Sequence, residues 1–194
     1  MLGFDLVRGP RLETPRFILR RPGLADFRDW AVLRAASRDF LVPWEPSWPD
    51  DALSLAAFRR RLRQLATEWR HDQGYGFFIF RREGDQLLGG VNLSHLRRGV
   101  AQTASVGYWM GEAHANQGAM SEAMLALLPY AFDRLGLHRV EAACLPTNKP
   151  SRALLAKLGF REEGYAVRYL KINGSWQDHV LHSLLVEDFK RGPG

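Results

Sequence analysis

The sequence predicts a mixed α+β sandwich: a mostly antiparallel sheet of about seven strands flanked by about four helices, in the order β-α-α-β-β-β-α-β-α-β-β. Two observations carry that reading. Three strand-like runs follow one another in the middle of the chain, at 75–82, 87–96 and 103–111, which a doubly wound parallel fold does not allow. The chain then closes on a long hairpin whose Asn173-Gly174 pair is the strongest two-residue turn signal it contains.

The elements follow in order. RFILRR (Arg16 to Arg21) reads as a strand that Pro22 and Gly23 end. LADFRDWAVLRAAS then repeats apolar residues (Leu24, Phe27, Trp30, Ala31, Leu33) at helical spacing. FLVPWEPSWPDD holds three prolines and two tryptophans and reads as a structured loop. A second helix is expected from about Ala52 to Arg70. YGFFIFRR turns at EGDQ into LLGGVNLSHL, and RRGVAQ separates that strand from TASVGYWMG. The next helix is expected from Gly118 to Leu135, closed by Gly136. HRVEAACL is a further strand. PTNKPSRALLAKLGF is a short helix with Asn148 as N-cap, Pro150 in its first turn and Gly159 at its end.

At 194 residues the chain suits one domain, taken as 1–194, with 46% hydrophobic and 25% charged residues. It has no apolar run near the ~20 residues that cross a membrane and no signal-peptide core, so a cytoplasmic location without membrane contact is expected. Cys144 is the single cysteine, which excludes an intramolecular disulfide and a cysteine zinc site; set in VEAACL, it reads as an inert buried thiol. His95, His138 and His179 stand in no H-x-x-x-H spacing, so no metal is expected. A net charge of +6 and a pI near 9.9 suit an acidic partner: nucleic acid, ribosome or a phosphorylated cofactor. The arginines of FRRRLRQLATEWR, however, alternate with apolar residues as a solvated helix face does, and no sequence-specific nucleic-acid motif accompanies them.

HANQGAMSEAMLALLPYAF places Gly118 at the front of an apolar helix. Free N–H groups and the positive end of the helix dipole stabilise a phosphate there, and a glycine lets it come close. The amides of Gln117, Gly118, Ala119, Met120 and Ser121 are therefore a candidate anion cradle. Neither G-x-G-x-x-G nor G-x-x-x-x-G-K-[ST] occurs, which argues against a Rossmann or nucleotide-hydrolysing site.

VGYWM, NQGAMSEAM, RVEAACL and NKPSRALLAKLGF, taken with RFILRR, FLVPWEP and INGSWQDHV, make the chain resemble the GNAT superfamily of acyl-CoA-dependent N-acyltransferases. Within it the sequence is most similar to the RimJ/RimL group of ribosomal-protein alanine N-acetyltransferases, RimJ above all. The resemblance implies acetyl-CoA as co-substrate, its pyrophosphate on the glycine-led helix. It further implies pantetheine contacts from Val106, Tyr108, Trp109 and Met110, where the strand splays from its neighbour, and a cofactor contact from Asn148. Ser151 is implied as the general acid that protonates the departing thiolate. The superfamily pattern Gln/Arg-x-x-Gly-x-Gly/Ala is met here only at Gly118; Ala115 and Met120 occupy its ends, and methionine at the latter place is familiar in the RimJ/RimL group.

TASVGYWM lacks the glutamate that many family members carry as base. An α-amine (pKa ~7.7–8.0) needs less help than lysine (~10.4), which favours a protein N-terminus as acceptor. Glu45, Glu141 and Asp178 are the candidate carboxylates, with Glu45 a base or amine-binding group beside the acceptor. The expected activity is acetyl transfer to a protein N-terminus, with a small-subunit ribosomal protein as the expected acceptor. A small amine (antibiotic, polyamine or amino acid) is the alternative acceptor, and a non-catalytic basic RNA- or ribosome-associated module is the alternative class. Oligomeric state is open.

Overall fold

A computed structural model describes residues 9–189. Eight strands form one sheet in the order β1-β2-β3-β4-β5-β6-β8-β7. They are β1 (Leu12–Glu13), β2 (Phe17–Arg20), β3 (Tyr75–Arg81), β4 (Leu87–Arg97), β5 (Thr103–Met110), β6 (Arg139–Cys144), β7 (Arg161–Ile172) and β8 (Ser175–Leu185). The helices are α1 (Phe27–Ala36), the single-turn α2 (Arg38–Leu41), α3 (Leu55–Arg70), α4 (Ala119–Pro129) and α5 (Lys149–Lys157). Every neighbouring pair is antiparallel except β5–β6.

The alternation of β3 shows how the layers form. Phe77 and Ile79 join a core with Met124, Leu127 and Leu128 of α4 and Leu155 of α5. Phe78 and Phe80 face the other way, onto Trp30 of α1 and Phe58 of α3. The strand is thus apolar throughout because both its faces are covered. Phe58, fully buried, contributes about 1.5–3 kcal/mol by leaving water.

Four local differences from the sequence reading have physical causes. The strand β1 makes eight rather than about seven; it is two residues long and exists through pairing with β2, a tertiary contact that no periodicity announces. The loop after α1 begins with α2 and continues through a 3₁₀ turn at Val42–Trp44, bringing the helices to five. The helix α3 starts at Leu55, not Ala52, because Ser54 Oγ accepts the Ala57 N–H at 3.0 Å and caps it there. The expected single helix to Leu135 changes at Pro129, which has no N–H to continue the ladder. It widens into a π turn at Tyr130–Arg134, with Leu135 N–H donating to Tyr130 O at 3.0 Å. The Asn173-Gly174 turn has φ of 44° and 82°, as a two-residue hairpin requires. Asn173 N–H donates to Glu45 O at 2.9 Å, so the hairpin tip is docked on the loop that follows α2.

Candidate active site

Parallel pairing of β5 with β6 covers Thr103↔Arg139, Ala104↔Val140 and Ser105↔Glu141 and then stops. On its other side β5 stays paired with β4 as far as Gly89↔Met110. The edge of β5 from Val106 to Met110 that faces β6 therefore carries backbone groups without ladder partners. Such groups need another polar partner, and a ligand strand can supply it.

At this opening lies a cavity of about 470 Å³, within the range of small-molecule sites. Tyr108, Trp109 and Met110 of β5 form one wall, and Gly118, Ala119, Met120 and Ser121 at the start of α4 form the second. Asn148 and Ser151 at the start of α5 form the third, with Lys157 two turns further along. Phe40, Leu41, Trp44 and Glu45 close the mouth.

The front of α4 has the properties of an anion cradle. Helical bonding begins with Glu122 N–H to Gly118 O at 3.1 Å, so the amides of Ala119, Met120 and Ser121 have no partner inside the helix. Gly118 sits at φ 76°, the left-handed conformation that disfavours any side chain. A Cβ there would meet only Arg16 Nη2, at 3.5 Å, so glycine is required by backbone conformation more than by crowding. Arg16, the residue just before β2, is anchored by its Nε to Glu122 Oε2 at 2.7 Å and by Nη1 to Gln117 O at 3.4 Å. That leaves its Nη2 over the cradle.

At the opposite end of the cavity, Tyr108 and Ser151 share a hydrogen bond of 2.7 Å. Asn148 Oδ1 accepts the Ser151 N–H at 3.1 Å, which caps α5 and fixes the serine. Burial pushes the Tyr108 hydroxyl up to about 12, against the lowering effect of Ser151, so it keeps its proton at neutral pH. Cys144 lies beneath, 6% exposed; burial pushes its thiol up, which suits the inert role.

A family profile described as an acetyltransferase (GNAT) domain matches residues 16–161. The chain belongs to the GNAT acetyltransferase family. The probable N-acetyltransferase YjcK of Bacillus subtilis (strain 168) is 38% identical over 91% of this chain and 98% of its own. The [ribosomal protein uS5]-alanine N-acetyltransferase of Escherichia coli (strain K12) is 34% identical over 94% of each chain. Among solved structures, Mycobacterium smegmatis RimJ in complex with CoA-disulfide is similar at a TM-score of 0.85 and 32% identity, covering 92% of this chain and 87% of that one. The chain is thus an acetyl-CoA-dependent N-acetyltransferase with RimJ/RimL-like relatives, and acetyl-CoA is its co-substrate. The α+β architecture is the GNAT fold.

The remaining expected GNAT residues fall as follows. Val106 is 7% exposed, in the core under the cavity. Gln117 lies outside the cavity lining, its side chain donating to Ala113 O at 2.8 Å. The Trp109 ring crosses to the α1–α3 side, edge-on to Phe78 and under the Arg34 guanidinium. Glu45 accepts two hydrogen bonds from Arg34, at 2.7 and 2.6 Å, and one from Trp48 Nε1 at 2.9 Å. Glu141 is paired with Arg97 and Arg139, and Asp178 accepts from Tyr165 Oη and the Arg168 N–H; neither lines the cavity. Among the described residues no group of three His, Cys, Asp or Glu could hold a metal ion, and no helix is long and apolar enough to cross a membrane. Sequence reasoning missed Arg16 and Lys157. The helical spacing of Lys157 from Pro150 could have revealed the second, whereas nothing in the chain pointed from Arg16 to a cradle about a hundred residues away.

Proposed function

We propose that this enzyme transfers acetyl from acetyl-CoA to the N-terminal α-amine of a protein, with a small-subunit ribosomal protein as the acceptor class. The Tyr108–Ser151 hydrogen bond at the inner end of the cavity is the observation that carries the chemistry. The name of the uS5-alanine enzyme among its relatives supports the acceptor.

The amides from Gln117 to Ser121 and Arg16 Nη2 hold the pyrophosphate, which the helix dipole also favours. Val106, Trp109 and Met110 offer backbone groups on the open edge of β5 to the pantetheine arm, and Asn148 adds a side-chain contact. A β5 N–H polarises the thioester carbonyl. The neutral amine attacks the carbonyl carbon, forming the C–N bond as the C–S bond breaks. Ser151 Oγ, held by the Tyr108 hydroxyl, gives its proton to the departing sulfur, and the proton that the attacking nitrogen releases as it becomes an amide passes through water back to Ser151. A positioned acid of this kind contributes about 10²–10⁴-fold. Glu45 orders the acceptor side of the mouth through Arg34 and Trp48.

The test is acetylation of a peptide with a free N-terminal alanine, the same peptide N-terminally blocked but carrying lysine, and a panel of small amines, with the modified atom located by mass spectrometry. Acetylation at the free α-amine is expected. Turnover of small amines alone would overturn the assignment.

A further inference from the structure

A second recess, of about 530 Å³, opens on the opposite face of the sheet between α3 and strands β3 to β5. Trp109 lines both it and the cofactor cavity, so the two spaces meet across one side chain. Glycines make the recess possible. A Cβ on Gly90 would stand 2.6 Å from Trp109 Nε1, and one on Gly76 would stand 2.7 Å from Leu65 Cδ2. Without them the Trp109 indole and the Leu65 side chain would have to shift.

The lining is polar and partly unengaged. Asn92 of β4 lies opposite Gly107, within the open-edged part of β5, and its side-chain amide has no hydrogen-bond partner among the described residues. Arg61 of α3 likewise has no hydrogen bond or ion pair among them. Arg61 is exposed at the rim of the recess. The surrounding protein first, and the Arg34 cation second, lower its pKa, Glu45 and Glu68 act the other way, and the guanidinium keeps its charge. Glu68, the one acid lining the recess among the described residues, sits two turns along α3 and accepts from Gln64 at 2.8 Å. Arg61 is thus the one arginine or lysine lining the recess among the described residues, without an ion-pair partner of its own, and through Trp109 the recess adjoins the strand segment where the thioester is to react.

We infer that this recess receives the first residues of the acceptor polypeptide, with Asn92 meeting its main chain and Arg61 pairing with an acidic side chain close behind the reacting amine. The inference rests on the N-terminal reading above and adds a specificity to it: acceptors with Asp or Glu in their first few positions are preferred over those with Lys. A small amine would leave Asn92 and Arg61 unmatched.

Steady-state kinetics on the full chain test this, using two alanine-terminated peptides that differ by Glu or Lys at positions two to four. The wild-type enzyme should show a lower KM for the glutamate peptide. Arg61→Glu should raise that KM roughly fivefold and lower the KM for the lysine peptide, as exposed pair energies allow. Affinity for CoA, read by calorimetry, should not move, which excludes a folding defect. Acetylation of both peptides with the same KM in wild type and variant would overturn the recess while leaving the N-terminal activity standing. Turnover of small amines with neither peptide accepted would overturn both.

Discussion

Gly118 separates backbone conformation from charge at the cofactor cradle. Its φ of 76° costs a residue with a Cβ about 1–2 kcal/mol. At roughly 2–4 °C per kcal/mol for a chain of this size, Gly118→Ala should lower the melting temperature by about 2–8 °C. The nearest atom to the added methyl is Arg16 Nη2 at 3.5 Å, an ordinary contact, so CoA affinity should change less than about threefold. Gly118→Asp should do the reverse. Aspartate tolerates the left-handed region better than alanine, and it can pair with Arg16, so its stability loss should be the smaller. Yet it sets a negative charge where the phosphates are proposed to bind and engages the cation beside them. Two unit charges near 4 Å repel by about 1 kcal/mol in water and about 4 at a protein surface. Gly118 is exposed, so the low end applies, and two phosphate charges give about 2 kcal/mol, or ~30-fold weaker binding. Calorimetry with CoA and thermal denaturation read the two quantities independently. If alanine weakens CoA binding as much as aspartate, the cradle works through strain and the charge argument fails; if aspartate binds CoA normally, the phosphates lie elsewhere.

Two further outcomes follow from the site and the sheet. Ser151→Ala should lower kcat about 10–100-fold with CoA affinity nearly intact, and Tyr108→Phe should give a smaller kcat loss that is not additive with it, because the two hydroxyls act as one unit; additive losses would separate them. Arg139 first, and Ser183 second, hold the Glu163 carboxyl down to about 2, so this group stabilises the fold above its ordinary value of 4.5 and loses that contribution as pH falls toward 2. Glu163→Gln should therefore be less stable than wild type at pH 7, by under about 1 kcal/mol for so exposed a pair, and the difference should vanish across that acid window in denaturant titrations.

What could be read from the chain was local. Asn173-Gly174 carries its own turn geometry, Asn148 its own cap, and Gly118 its own place before an amphipathic run. Features built from distant contacts were not legible. Arg16 meets Gln117 across 101 residues and Glu122 across 106. The Tyr108–Ser151 bond joins residues 43 apart, and the early end of β5–β6 pairing leaves no mark in either strand. Resemblance to a family implied a pantetheine contact for Tyr108 and an acid role for Ser151, but not the bond between them. It implied nothing for Arg16, which stands beside Gly118 where Ala115 offers none of the side-chain contact usual in the family.

The absence of a free carboxylate at the reaction centre bears on which amine this scaffold can serve. Glu45 is the one acid lining the cavity among the described residues, and three donors already engage it. Glu141 and Asp178 are paired away from the cavity. At pH 7 about a tenth of an N-terminal α-amine is neutral, against about 0.04% of a lysine, from pKa values near 7.8 and 10.4. That gap of about 2.6 units is worth roughly 3.5 kcal/mol, comparable to what a dedicated base contributes. An enzyme without such a base therefore loses little on an α-amine and several hundredfold on lysine. The proposed α-amine acceptor thus fits a cavity whose one lining acid is already engaged: the chemistry of the amine supplies what the side chains do not.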